Sequence, residues 1–230
     1  MEDRRGILAV RDIVRGAAAS LARAVFPHFC AGCGAEGAVL CEKCLVETQP
    51  RAALSFSSKA LDGAAAMGPY GDPRLAKLLR WYKYEAVEEA GDALENMFRV
   101  WLRQHEGLVR SFGRDAAVLP VPLHWFREAR RGFNQSERFA RALNREFGLS
   151  PAPRLLRKSF RWRAQATIAD REARKGSVRG SIAVTPGATV PRRVMLVDDV
   201  MTTGATLEEC AAALKTAGAD RVFALTLLKG

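Results

Sequence analysis

The stretch VMLVDDVMTTGAT, Val194 to Thr206, decides how this chain is read. Its first four residues have the apolar, partly β-branched character of a buried strand, and they run into two adjacent carboxylates, Asp198 and Asp199. One unpaired buried carboxylate is costly and a second beside it adds repulsion, so the pair requires cations or hydrogen-bond donors. The residues that follow, Thr202, Thr203, Gly204, Ala205 and Thr206, supply hydroxyl donors, small side chains and a helix start whose free N–H groups favour an anion. One half of the motif accepts hydrogen bonds and the other donates them. A ribose phosphate suits both halves: the carboxylates take its 2' and 3' hydroxyls, directly or through Mg2+, and the loop takes its 5'-phosphate. The rival P-loop pattern, G-x-x-x-x-G-K-[ST], is absent, and the loop has no lysine.

Around this motif, strand and helix signals alternate. Ala64 to Tyr70 reads as a strand, and Pro73 to Arg103 as one or two helices with Leu75, Leu78, Leu79, Tyr82, Leu94, Met97, Phe98 and Trp101 on an inward face. Ala116 to Leu123 is a short strand ended by prolines, Ser136 to Phe147 an amphipathic helix, and Ala152 to Arg157 a further strand. Arg192 to Val200, Gly204 to Ala217 and Arg221 to Lys229 read as strand, helix and strand. The alternation predicts an α/β fold, a parallel sheet flanked by helices. In such sheets ligands bind beyond the carboxyl ends of the strands, which is where Asp198 and Asp199 fall.

Four of the five cysteines form two C-x2-C pairs, Cys30/Cys33 and Cys41/Cys44. Two such turns point four thiolates at one centre, the tetrahedral arrangement of a structural zinc, and a closed four-sulfur site leaves no position for catalysis. With no secretion signal in the sequence, a disulfide framework is the weaker explanation. Cys210 stands apart in a helix and reads as a small core side chain. The expected organisation is an N-terminal amphipathic helix over 1–27, a zinc ribbon over 28–50, a polar linker over Gln49 to Lys59, and an α/β domain over 60–230. The segment Ile7 to Phe26 is interrupted by Arg11, Asp12, Arg15 and Arg23 and so lacks the clean apolar length of a transmembrane span or signal peptide. A cytoplasmic protein is expected.

The 230-residue chain carries a formal net charge of +11. The excess is local: Arg127 to Arg193 holds 17 basic against 5 acidic residues, whereas the remainder holds 19 against 20. Such a concentration suits a polyanion, either a phosphorylated small molecule or nucleic acid, against the plainer reading of a solvated surface. Within it, RKSFRWRAQ interleaves Phe160 and Trp162 with Arg157, Lys158, Arg161 and Arg163, the combination that holds single strands by stacking and phosphate neutralisation. DNA contact, a cover over diphosphate and plain surface all remain open for this segment.

VMLVDDVMTTGAT resembles the phosphoribosyl pyrophosphate (PRPP) signature of type I phosphoribosyltransferases. Together with the cysteine ribbon, LRWYKY and VPLHWFREARRGFNQSERFARAL, it resembles the ComF family of competence-associated proteins from Cys30 to Gly230. The resemblance implies a zinc ribbon joined to a type I phosphoribosyltransferase-like domain, and a part in handling incoming single-stranded DNA during natural transformation. It implies that Asp198 and Asp199 hold the ribose diol of Mg-bound PRPP as the catalytic pair, that Thr202, Thr203, Gly204, Ala205 and Thr206 hold its 5'-phosphate, and that Val121, Pro122 and Leu123 form the pyrophosphate loop with Arg131 reaching the same diphosphate. Lys83 matches the family's KY lysine, for which the sequence gives no role. Ser177 and Ile182 stand where the family pattern leads one to expect asparagine and phenylalanine.

Three function classes follow. The first is a phosphoribosyltransferase-fold protein that binds Mg-PRPP and single-stranded DNA in DNA uptake. The second is an active transferase passing ribose 5-phosphate to a nucleobase-like acceptor in nucleotide salvage, although no acceptor pocket is readable in the sequence. The third is an interaction module whose ribbon docks a DNA-uptake protein such as a helicase.

Overall fold

The computed structural model describes residues 29–48, 54–56, 60–113, 115–123, 125–152, 154–158 and 181–230. The chain divides into two units, Met1–Thr48 and Gln49–Gly230. The amphipathic helix expected over 1–27 lies outside the described residues.

In the first unit, a knuckle turns at Cys30 to Cys33, with Cys30 N–H donating to the Ala35 carbonyl (2.8 Å) and Ala31 N–H to Val39 (2.8 Å). Gly34 has φ +73°, a conformation that an L side chain resists, and so permits the tight return of the chain. Helix α1 (Glu42–Thr48) follows Cys41 and places Cys44 in its first turn, buried.

The second unit is built on a six-stranded sheet. Its strands are β1 (Leu54–Phe56), β2 (Gly63–Pro69), β3 (Ala117–Pro120), β4 (Ser150–Pro151), β7 (Arg193–Met201) and β8 (Arg221–Lys229). Their spatial order is β1-β2-β8-β7-β3-β4, parallel throughout except for β1. A separate antiparallel pair, β5 (Leu156–Lys158) and β6 (Ile182–Val184), completes the strands among the described residues.

Two expectations are corrected. The segment expected as a linker contains β1, which pairs along the edge of β2. The single strand expected over Ala152 to Arg157 is instead two pieces: β4 stops at Pro151, whose missing N–H confines it to a short edge pairing with β3, and β5 leaves the main sheet for β6.

Helices cover the sheet. Helix α2 (Pro73–Tyr84) starts with Asp72 accepting from the N–H groups of Arg74 (2.8 Å) and Leu75 (3.4 Å), with Pro73 in the first turn, where its missing N–H costs nothing. Its buried stripe is Leu75, Leu78, Leu79 and Tyr82. Helix α3 (Glu88–Gln104) crosses α2 at Gly91, where an added Cβ would lie 2.7 Å from two Tyr82 ring carbons. The short helices α4 (Glu106–Ser111) and α5 (Trp125–Arg131) flank β3 in sequence.

Helix α6 (Gln135–Phe147) packs on β3 and β7 and is tied to α3 by ion pairs. Its Glu146 accepts from Arg103 (2.7 Å) and Arg99 (2.9 Å), which hold that carboxyl down at about 2. Its Arg138 meets Glu88, Asp92 and Glu95. Helix α7 (Ala205–Thr216) buries Leu207, Cys210, Ala211 and Leu214 in one cluster with Val194 and Leu196 of β7 and Val222 and Ala224 of β8. Met195 and Val197 alternate to the opposite face of β7 and are fully buried too, so the sheet is covered on both sides.

Candidate functional site

The central feature is the gap beyond the carboxyl ends of β3 and β7. From β3 the chain proceeds outward to β4, and from β7 it proceeds the other way to β8, so these neighbours form a topological switch point. Segments leaving the two strands must diverge there, and a cleft opens. One wall is held by a relay. Val121 N–H donates to the Val197 carbonyl (2.9 Å), and the Asn134 amide donates to the Val121 carbonyl (3.0 Å) while its oxygen caps α6 at Ser136 N–H (3.1 Å). One buried asparagine therefore fixes the loop after β3 against the start of α6.

The cleft holds a cavity of about 440 Å³. Of the residues expected from the sequence at a phosphoribosyl site, Val121, Pro122, Leu123, Arg131, Asp198, Asp199, Thr202 and Thr206 line it. Thr203, Gly204 and Ala205 form the turn into α7 without lining the cavity; Gly204 has φ +79° and Ala205 N–H reaches the Thr203 hydroxyl (3.4 Å). The pairing of β7 with β8 continues to Met201, so Asp198 and Asp199 sit within the carboxyl-terminal end of the strand rather than beyond it.

The two carboxylates have different partners. Asp198 Oδ1 accepts from the Ser136 hydroxyl (2.9 Å) and from the Asp199 backbone N–H (2.9 Å). Burial first, and then the charge of Asp199, raise its carboxyl to about 7, against the lowering pull of those two hydrogen bonds and of Lys83. Asp199 Oδ1 is 2.8 Å from Lys83 Nζ, with only 14% of the Lys83 and 12% of the Asp199 side chain exposed. The cation required by the doubled carboxylate is thus supplied from the last turn of α2.

Beside them, Gln135 is completely buried in the cavity wall, and neither its amide nitrogen nor its carbonyl oxygen has a partner within the described residues. Native interiors rarely leave such groups unsatisfied, so a donor and an acceptor are available to whatever fills the cavity. Of the residues expected to touch nucleic acid, Arg157 is exposed and Lys158 lines this cavity. Arg161, Trp162 and Arg163 lie outside the described residues.

In the first unit, the sulfurs of Cys30, Cys33, Cys41 and Cys44 all lie within 4.8 Å of one another. The Cys33 and Cys41 sulfurs are 3.6 Å apart. A tetrahedron with metal–sulfur bonds of about 2.3 Å has edges of about 3.8 Å, so the cluster has the dimensions to hold an ion. Backbone N–H groups of Gly32 and Cys41 point at Cys30 Sγ (3.4 Å each). Burial alone would raise the Cys30 thiol, but these donors bring it down to about 6, whereas burial and the neighbouring sulfurs push Cys44 up to about 12.

No family model matches the chain. Competence protein F of Haemophilus influenzae is 27% identical over 201 residues, covering 86% of this chain and 82% of the relative. Competence protein ComFC of Streptococcus pneumoniae is 33% identical over 109 residues, 47% of this chain and 46% of the relative. The chain is similar to both competence proteins over these spans.

Among solved structures, an allosteric regulatory enzyme of purine biosynthesis is similar with a TM-score of 0.39 and 18% identity. A glutamine PRPP amidotransferase from B. subtilis reaches 0.40 and 21%, and a hypoxanthine phosphoribosyltransferase from Staphylococcus aureus 0.37 and 15%. Each match covers 60% of this chain; it spans 26% of the first two proteins and 64% of the third.

Gln135, Ser136 and Lys158 are among the residues that line the site without having been expected there. Ser136 is legible in the sequence only as the start of an amphipathic helix, Gln135 only as the residue before it, and Lys158 only as part of a basic run. Asn134 carried a usable signal, since an asparagine directly before a helical pattern is a capping residue, and a cap beside the phosphate loop would have located that wall. Lys83 was noted without a role and proves to be the counter-charge to Asp199.

Proposed function

We propose that the chain binds PRPP with Mg2+ in the cavity between β3 and β7, binds single-stranded DNA through its basic segment, and acts in DNA uptake during natural transformation. The observation that carries the first part is the convergence, around one 440 Å³ cavity, of two carboxylates with hydroxyl and cationic donors on the facing walls. Asp198 and Asp199 accept the ribose hydroxyls; Thr202 and Thr206, at the start of α7, receive the 5'-phosphate with the helix N-terminus behind them. Arg131, with backbone from Val121 to Leu123, neutralises the diphosphate. Asp198 and Asp199 would be the residues beside a bound Mg2+, which would supply positive charge to offset that of the diphosphate. Ser136 holds Asp198 in place, and Lys83 pairs with Asp199 without closing the cavity.

Support for the DNA-uptake role comes from the two competence relatives, and support for strand binding from the charge of Arg127 to Arg193. In the first unit, the four cysteines hold a structural zinc that stabilises a ribbon too small to fold unaided. On this reading the protein acts in the cytoplasm. Among the described residues no helix is long and apolar enough to cross a membrane.

The test is thermal unfolding with Mg-PRPP. At about 100 times Kd a ligand adds about 2.7 kcal/mol, which for a domain of this size raises Tm by about 5–10 °C. The Asp198→Ala, Asp199→Ala double variant should show no rise, and a wild type without a rise would contradict the reading. For the strand, gel retardation of a single-stranded oligonucleotide should weaken steeply with salt. Neutralising Arg161 and Arg163 should weaken it further; unchanged retardation would move the DNA site elsewhere.

A further inference from the structure

A second cavity of about 330 Å³ adjoins the first, and Lys83, Tyr84 and Arg131 line both. Lys83 therefore faces two open spaces while its Nζ rests 2.8 Å from Asp199 Oδ1. A lysine carries a point charge on a flexible stem, so this ammonium can leave Asp199 for an anion in either cavity without backbone movement. A second lysine–aspartate pair gives the contrast. Lys215 Nζ meets Asp62 Oδ2 at 2.9 Å, with side chains 33% and 26% exposed, and neither residue lines these cavities. Asp62 also accepts from Val222 N–H (2.8 Å), so that contact ties α7 to β8. Lys83 is instead paired with a carboxylate that a ligand can reach.

The formal charges around the first cavity favour some entrants over others. Lys83, Arg131 and Lys158 bring three positive charges, against two negative ones from Asp198 and Asp199. A lone divalent cation thus meets an excess of positive charge, and an ammonium already on the Asp199 oxygen. Mg2+ takes oxygen ligands at about 2.0–2.1 Å and sheds its water reluctantly. Two cations on one carboxylate oxygen at such distances repel each other strongly. A metal ion carried by a diphosphate differs in two respects: phosphate oxygens supply part of its ligand shell, and their charge offers Lys83 another partner. Gln135 points the same way independently. It is wholly buried in the cavity wall, and its amide nitrogen and carbonyl oxygen have no partner among the described residues. That amide donor has no use for a bare cation, so the wall suits a ligand that carries acceptors of its own.

We propose that Lys83 is a built-in counter-cation that keeps free divalent metal off the Asp198–Asp199 pair, so that metal enters the site only together with a phosphorylated ligand. The proposal rests on the phosphoribosyl reading of the first cavity and deepens it by fixing the order of binding. Lys83 acts as a positioning residue: it holds Asp199 until an anion draws the ammonium away.

Mn2+ binding to the full chain, followed by the spin resonance signal of the free ion with and without PRPP, tests it. Metal alone should bind the wild type no more tightly than it binds Asp199→Asn, and PRPP should bring metal into the wild type. Because one charge removed at close range is worth a large factor, Lys83→Met should bind Mn2+ alone about tenfold or more tightly than the wild type. The gain should vanish in the Lys83→Met, Asp199→Asn double variant. Lys83→Arg keeps the charge and should behave as the wild type. A wild type that takes up Mn2+ alone and loses it in Asp199→Asn would overturn the proposal, and that comparison needs no Lys83 variant. A Lys83→Met chain that binds metal no better than the wild type would overturn it and leave the phosphoribosyl site standing. Equal gains in Lys83→Met and Lys83→Arg would trace the effect to packing rather than charge, and would overturn it too. If PRPP brought no metal into the wild type, the coupled entry and the phosphoribosyl reading would fall together.

Discussion

Lys83 Nζ stands 2.8 Å from Asp199 Oδ1, joining the last turn of α2 to the carboxyl end of β7. Both side chains are largely withdrawn from solvent, so the contact is more than a surface ion pair, yet it borders a cavity that a ligand can enter. Lys83→Met leaves Asp199 uncompensated beside Asp198. The expected cost is about 2 kcal/mol, below the range for a fully enclosed pair because the cavity lets water reach the orphaned charge. Adding Asp199→Asn should recover most of that loss. Urea unfolding of the two single variants and the double variant measures it, and strictly additive losses would mean that the pair is not coupled.

Gln135 makes the opposite kind of prediction. Its buried amide has no partner among the described residues, so Gln135→Leu should stabilise the ligand-free chain by about 1–2 kcal/mol, seen as a higher Tm. The same variant should reduce the further rise caused by Mg-PRPP. A structural glutamine would behave in reverse, with Tm falling and the ligand-induced rise unchanged.

The raised carboxyl of Asp198 gives a pH dependence of definite sign. A group protonated up to about 7 when folded, but only up to ordinary carboxylate values when unfolded, makes the folded state retain a proton that the unfolded state has lost. Its contribution is favourable below pH 4 and is lost as pH rises towards 7. Asp198→Asn, which cannot ionise, should therefore leave Tm unchanged near pH 4 and raise it by a few degrees at pH 8. An equal effect at both pH values would show that Asp198 titrates normally.

For the first unit, the expected stoichiometry is one zinc per chain, measured by elemental analysis, with the metal lost in Cys41→Ser. Cys210→Ser serves as the control, since that residue is buried on α7 within the core of the second unit and is not one of the four clustered cysteines, so the variant should keep the metal. A wild-type chain free of bound metal after purification without chelator would end the zinc assignment.

What the sequence revealed and what it hid divide along a physical line. Strands β3, β7 and β8, helices α6 and α7 and the two cysteine pairs announce themselves through local patterns, because each is specified by its own residues. The Asp198–Asp199 pair is equally legible, since adjacent carboxylates at the end of an apolar run are conspicuous in any context. The partners of that pair are not, because contacts such as Ser136 to Asp198, 62 residues apart, exist only once α6 is laid against β7. Three-residue strands such as β1, β5 and β6 are too short to show a period, and β1 was hidden in a polar segment for that reason. The second cavity could not be read at all, because it is assembled from the ends of elements rather than from any one of them.

The most direct test of the central claim is a crystal structure of the chain with Mg-PRPP. The ribose diol is expected within hydrogen-bond reach of Asp198 and Asp199 or of their shared Mg2+, with the 5'-phosphate at Thr202 and Thr206 and the diphosphate towards Arg131. Ligand bound elsewhere, with Lys83 and Arg131 folded across the mouth between β3 and β7, would contradict it.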